Sequence, residues 1–204
     1  MPSAPAISSP IIVLKALASG ERFARVSVLT PEHGVLHLLA RRRSKPPFLL
    51  VDLYDSGDAL FELKLDGQNG FLKDFELRQR RSGIGRDYST LETAARLSAF
   101  LLANPIHPED EASIYELATK ALNALDQGQP PEAALLKTLF TYCRDEGYPV
   151  VERWAKQLDP NIREAAIQIL NTPLNELTID RSIQRIALDT LAVFIERETH
   201  IRLS

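Results

Sequence analysis

Four cations in five residues, Arg41-Arg42-Arg43-Ser44-Lys45, follow directly on an apolar run and are the most chemically pointed feature of the chain. Clustered like charges repel one another unless an anion neutralises them, which is what phosphate contacts from a nucleic acid would do. A solvated loop is the competing reading of the same residues. Other constellations carry less. His33, His37, His107 and His200 are scattered, and none has a Cys, Asp or Glu at ligand spacing. His33 and His37 stand four apart in a strand-like context, where that spacing does not converge on a metal. Glu109-Asp110-Glu111 falls at the start of a helix, where negative charge suits the positive end of the helix dipole better than it suits acid–base catalysis. Cys143, the single cysteine, sits on an apolar helix face and reads as core. No GxxxxGK[ST], GxGxxG or GxSxG occurs, so phosphate cradles and nucleophile elbows are absent, and the expectation is no catalytic residue, no metal and no cofactor.

The elements that must position the basic cluster change in kind along the chain. Apolar runs of strand length occupy residues 11–14, 23–29, 34–39, 48–54, 60–65 and 70–77, separated by turn signals such as Ser19-Gly20 and Asp66-Gly67-Gln68-Asn69-Gly70. Five or six such runs predict a small antiparallel β-barrel over residues 1–77. Phe48, Tyr54 and Phe61 lie on the strands after the basic cluster as candidate aromatic platforms for single strands. Residues 78–88 are polar and aperiodic and read as a linker. From residue 89 to 204 the period is 3.6. Ser89 with Glu92 predicts a capping box, Pro131 a first helical turn, Asp159-Pro160 the start of another helix, and residues 180–200 a long final one. Residues 150–159 predict a compact helical connection that packs Val151 and Trp154 against the bundle. The fold class is therefore α+β in two modules, a barrel followed by an all-α helical domain.

With 45% hydrophobic and 25% charged residues the composition is that of a globular protein. The net charge of −3 hides an asymmetry: residues 1–100 hold 14 Lys+Arg against 11 Asp+Glu, net +3, and residues 101–204 hold 10 against 16, net −6. Residues 1–45 alone carry seven bases and two acids, so an anion-binding surface is expected there. The start of the chain does not read as a signal peptide, no stretch reads as a membrane span, and one cysteine suits a reducing compartment, so the expected location is cytoplasmic.

The motifs arrive in an order that resembles the bacterial recombination mediator RecO. They are Ile12-Val13-Leu14-Lys15, Gly20-Glu21-Arg22, Leu29-Thr30-Pro31-Glu32-His33-Gly34 and Ala40-Arg41-Arg42-Arg43-Ser44-Lys45, followed in the helical half by Gly147-Tyr148-Pro149, Ile169-Leu170-Asn171-Thr172-Pro173-Leu174 and Arg202-Leu203-Ser204. The resemblance implies an OB-like barrel that binds and anneals single-stranded DNA. It further implies a helical domain that docks the C-terminal tail of the single-strand-binding protein and a RecR-like partner. Carried over by position, Arg22, Arg25, Arg41, Arg42, Arg43 and Lys45 would face DNA, and Lys137 would meet the acidic tail. The chain departs from the family pattern in two places. It lacks the four-cysteine zinc module that many members carry after Gly-Tyr-Pro, and the loop after Lys45 continues as Pro46-Pro47-Phe48 without further bases. The alternative is a RecO-like interaction scaffold with little DNA affinity.

Overall fold

The computed structural model describes residues 5–42 and 51–203. It is an α+β protein with a closed five-stranded β-barrel toward the N-terminus, followed by six helices. The strands are β1 (Ile7–Ser19), β2 (Phe23–Thr30), β3 (Gly34–Arg41), β4 (Ser56–Leu63) and β5 (Asn69–Gln79). Their order around the barrel is β1-β2-β3-β5-β4, closed by antiparallel pairing of β1 with β4. All pairs are antiparallel except β3 with β5. That arrangement is consistent with the OB-like barrel anticipated from the turn spacing.

Alternation explains the closure. Ile11, Val13, Val26, Val28, Leu36, Leu38, Ala59 and Phe61 all point inward and are buried in one core. The barrel is tight enough that glycine is required where β4 and β5 pass each other. A Cβ on Gly57 would lie 2.1 Å from the carbonyl oxygen of Glu76, and one on Gly70 would lie 2.3 Å from that of Glu62. The strand expected over residues 48–54 is not formed in its described part: residues 51–55 form a turn, and β4 begins at Ser56. Tyr54 within that turn adopts a left-handed backbone with φ of 64°. Its carbonyl accepts from the Arg81 guanidinium at 2.7 Å, a contact that helps hold the conformation.

Contacts divide the chain into two units, Met1–Arg81 with Pro105–Thr119, and Ser82–Asn104 with Lys120–Ser204. The barrel unit thus takes in the first part of a helix. In the stretch read as a linker, β5 continues to Gln79, Arg81 and Ile84 are buried, and Ile84–Arg86 make a 3-10 turn.

The helices are α1 (Tyr88–Ala103), α2 (Glu111–Asp126), α3 (Pro131–Asp145), the short α4 (Ala155–Gln157), α5 (Pro160–Asn171) and α6 (Arg181–Glu198). Asp87, Asp159 and Asp180 cap α1, α5 and α6, accepting from the backbone N–H groups of Thr90, Asn161 and Ser182 respectively. The cap of α1 corrects the expected Ser89–Glu92 box. Asp87 stands earlier, accepts from Thr90 N–H at 3.0 Å, and also takes the Ser89 hydroxyl hydrogen bond. Pro131 opens α3 as anticipated. Within the helical unit Leu97 and Phe100 of α1, Leu136 and Leu139 of α3, and Leu188 and Leu191 of α6 are buried. Phe100 meets Tyr142 edge to face with centroids 4.8 Å apart. Residues 150–159 do form a compact helical connection, a π-turn at Val150–Trp154 running into α4. Trp154 packs inward, but its companion is Val150; Val151 is half exposed. No helix among the described residues is long and apolar enough to cross a membrane.

Candidate functional site

The residues that strand alternation turns away from the barrel core form three cross-strand rows on β1, β2, β3 and β5. In β2 the inward set Ala24, Val26 and Val28 leaves Phe23, Arg25 and Ser27 outward. Register then aligns them with their neighbours. Leu17, Arg25, Leu39 and Phe71 make one row, with Arg25 opposite both Leu17 and Leu39, and Leu39 opposite Phe71. Ser19, Phe23 and Arg41 make the next, toward the β1–β2 turn. Lys15, Ser27, His37 and Asn69 make the third, where Ser27 Oγ and His37 Nδ1 lie 3.0 Å apart.

This face is both cationic and apolar. Leu17, Phe23 and Phe71 expose 52%, 37% and 38% of their surface, a large apolar allowance for strands whose other sides are buried. The Phe71 ring has the Lys64 ammonium 5.5 Å and the Lys73 ammonium 6.0 Å from its centroid, in cation–π range. Lys73 also pairs with Glu62 at 2.8 Å. Arg22, Arg25 and Arg41 are exposed, and among the described residues none of them enters a salt bridge. Arg42 N–H donates to the Arg22 carbonyl at 2.8 Å, and an Arg42 guanidinium nitrogen reaches the Gly20 carbonyl at 3.5 Å, so Arg42 lies back along the β1–β2 turn.

Four of the six expected DNA-facing cations, Arg22, Arg25, Arg41 and Arg42, are thus gathered at one end of the β2–β3 surface. Arg43 and Lys45 lie outside the described residues, as does Phe48. Two of the expected aromatic platforms are corrected. Phe61 is wholly buried in the barrel core and Tyr54 is buried in the turn before β4. Both belong to the scaffold, because inward alternation on β4 and the packing of the 51–55 turn claim them. Among the described barrel strands the exposed aromatics are Phe23 and Phe71, which the spacing of turns alone did not single out. Their signal was present, since Phe23 and Phe71 sit in alternation with inward Ala24 and Leu72.

A second basic run has a different character. Arg78 donates to Asp58 at 2.8 Å and pairs with Glu76 at 3.2 Å. Arg80 grips the buried Asp55 with two hydrogen bonds of 3.1 and 3.0 Å. The buried Arg81 donates to the Tyr54 carbonyl and, at 3.1 Å, to Ser56 Oγ. These cations fasten the barrel wall.

Elsewhere the groups with chemical potential are occupied. Lys137, in the helical unit, donates to the carbonyls of Leu170 at 3.2 Å and Thr172 at 2.7 Å, closing the C-terminal end of α5; burial pulls its ammonium below the usual lysine range. Cys143 is fully buried, and its thiol is pushed up to about 12, mainly by burial and further by Glu146, far from thiolate chemistry. His33 stacks edge-on against Phe61 at 6.2 Å. Glu111, whose carboxyl lies against Gly34, is raised by burial, with His33 pulling the other way. Among the described residues no group of three or more His, Cys, Asp or Glu is placed to hold a metal ion. Set against protein-family models and curated proteins, the sequence matches none.

Proposed function

We propose that this chain is a RecO-type recombination mediator whose barrel, of OB type, binds single-stranded DNA and anneals complementary strands. One observation carries the reading. Arg41 stands in register with exposed Phe23, and Arg25 shares a cross-strand row with exposed Phe71, on a single outward face; both arginines are free of carboxylate partners among the described residues. OB barrels use this face, between the β1–β2 and β4–β5 turns, for oligonucleotides. Unpaired guanidinium groups suit phosphates, and exposed rings suit bases that are not already stacked in a duplex. In this reading the helical unit docks the partners that the resemblance implies, the tail of the single-strand-binding protein and a RecR-like subunit. Lys137 is a poor anchor for that tail, since its ammonium already serves two backbone carbonyls.

The scaffold reading draws on the net −6 of residues 101–204 and competes directly. Anisotropy of a labelled oligothymidine titrated at several salt concentrations separates the two. Two to four phosphate contacts give a log–log slope of roughly −1.5 to −3, at about −0.7 per contact on single strands. Phe71→Ala weakens single-strand binding by about 1 kcal/mol, leaves the slope unchanged and spares duplex binding. Absence of binding at low salt replaces the mediator reading with the scaffold one.

A further inference from the structure

A cleft of about 580 Å³ opens in the helical unit between α6, the start of α5 and the helical connection before it. Its floor is apolar, with Trp154, Leu158 and Phe194 buried, while Ile186 and Val193 of α6 stand along it with 47% and 45% of their surface exposed. Two of its four charged groups are already engaged. Asp159 caps α5, and Glu198 holds Arg153 at 2.9 Å. The side chains of Asp189 and Arg197, both exposed, have no hydrogen bond or salt bridge among the described residues. Eight residues of α6 separate them, a rise of roughly 12 Å, with Val193 midway. The groove therefore carries an unpaired negative charge on the middle of α6 and an unpaired positive charge at its C-terminal end, with apolar surface between.

We propose that this groove docks an amphipathic helix of a partner protein, lying antiparallel to α6. A carboxylate in the first turn of that helix meets Arg197, and a lysine or arginine in its last turn meets Asp189. Helices favour acids in their first turn and bases in their last, because of the backbone dipole. An ordinary amphipathic helix therefore matches the groove in the antiparallel sense, and the parallel sense sets like charge against like. Its apolar stripe covers Ile186 and Val193, as in other helix-in-groove complexes. Occupancy of the groove is independent of whether the barrel binds DNA.

Trp154 is the only tryptophan of the chain, so the emission of the full-length protein reports directly on the cleft. The probes are two synthetic 12-residue peptides with the same leucine stripe and no aromatic residue. One has Glu in the first turn and Lys in the last; the other has the two exchanged. The first peptide shifts Trp154 emission saturably and binds roughly tenfold more tightly than the second. On the double variant Asp189→Lys, Arg197→Glu the order of the two peptides reverses, which differences in peptide helicity cannot produce. Val193→Glu, a surface change with an unaltered far-UV spectrum, loses the first peptide. Equal affinity for both peptides, a preference that survives the charge swap, or no change in emission overturns the proposal. So does a concentration-dependent shift of the protein alone, which assigns the groove to a second copy of the chain.

Discussion

Two sets of three arginines in the barrel unit, one spread over residues 22–41 and one within residues 78–81, differ completely in structure. Arg22, Arg25 and Arg41 project from the β2–β3 side, and among the described residues none of them enters a salt bridge. Arg78, Arg80 and Arg81 each have partners: Asp58 and Glu76, Asp55, and the Tyr54 carbonyl with Ser56. Residue type is the same in both sets and does not tell them apart. What separates them is whether strand register brings a carboxylate or a carbonyl to the guanidinium. A cation that the fold has already neutralised has little left to offer a phosphate, whereas an unneutralised one on an apolar face is poised for it.

Three variants test this contrast. Arg81→Ala has the largest effect. It strips the Tyr54 carbonyl of a charged donor inside the protein and costs about 3 kcal/mol of stability in urea unfolding, while the remaining folded molecules bind DNA as before. A loss below 0.5 kcal/mol would place Arg81 with the surface cations. Arg25→Ala with Arg41→Ala acts in the opposite sense. Stability is nearly unchanged, single-strand affinity falls roughly tenfold or more at low salt, and the salt slope flattens by about 1.4. Unaltered binding in this double variant moves the DNA surface off β2 and β3. Arg78→Ala has the smallest effect, with neither the unfolding midpoint nor the affinity measurably shifted, because its ion pairs are solvent-screened on an open surface. Weaker DNA binding in this variant would show that a paired arginine still reaches phosphate, and would erase the distinction drawn between the two regions.

Much of the architecture was legible because the period of hydrophobicity changes once along the chain, from two to 3.6. The starts of α3, α5 and α6 were equally plain, since Pro131, Asp159 and Asp180 announce them by local chemistry alone. The misplacements have physical causes. Residues 51–55 are apolar enough to resemble a strand, yet Val51 and Tyr54 bury themselves from a turn, so exposure of Tyr54 could not be inferred from alternation. At Val150–Trp154 a 3.6-residue period lets either valine share the face of Trp154, and the wider turn of the π-helix keeps Val150 beside it and swings Val151 out. Lys137 shows a further limit. Its partners are carbonyls 33 and 35 residues away, a proximity that only the folded chain creates. Of the candidate interface, the cations were visible as a cluster, but their alignment with Phe23 and Phe71 depends on pairing registers among four strands.

The barrel unit is not continuous in the chain, since it draws on Pro105–Thr119 as well as on Met1–Arg81. During synthesis the five strands therefore leave the ribosome before the last segment of their own unit exists. Residues 82–104, which belong to the other unit, emerge in between. The two units consequently cannot mature strictly one after the other, as consecutive domains do.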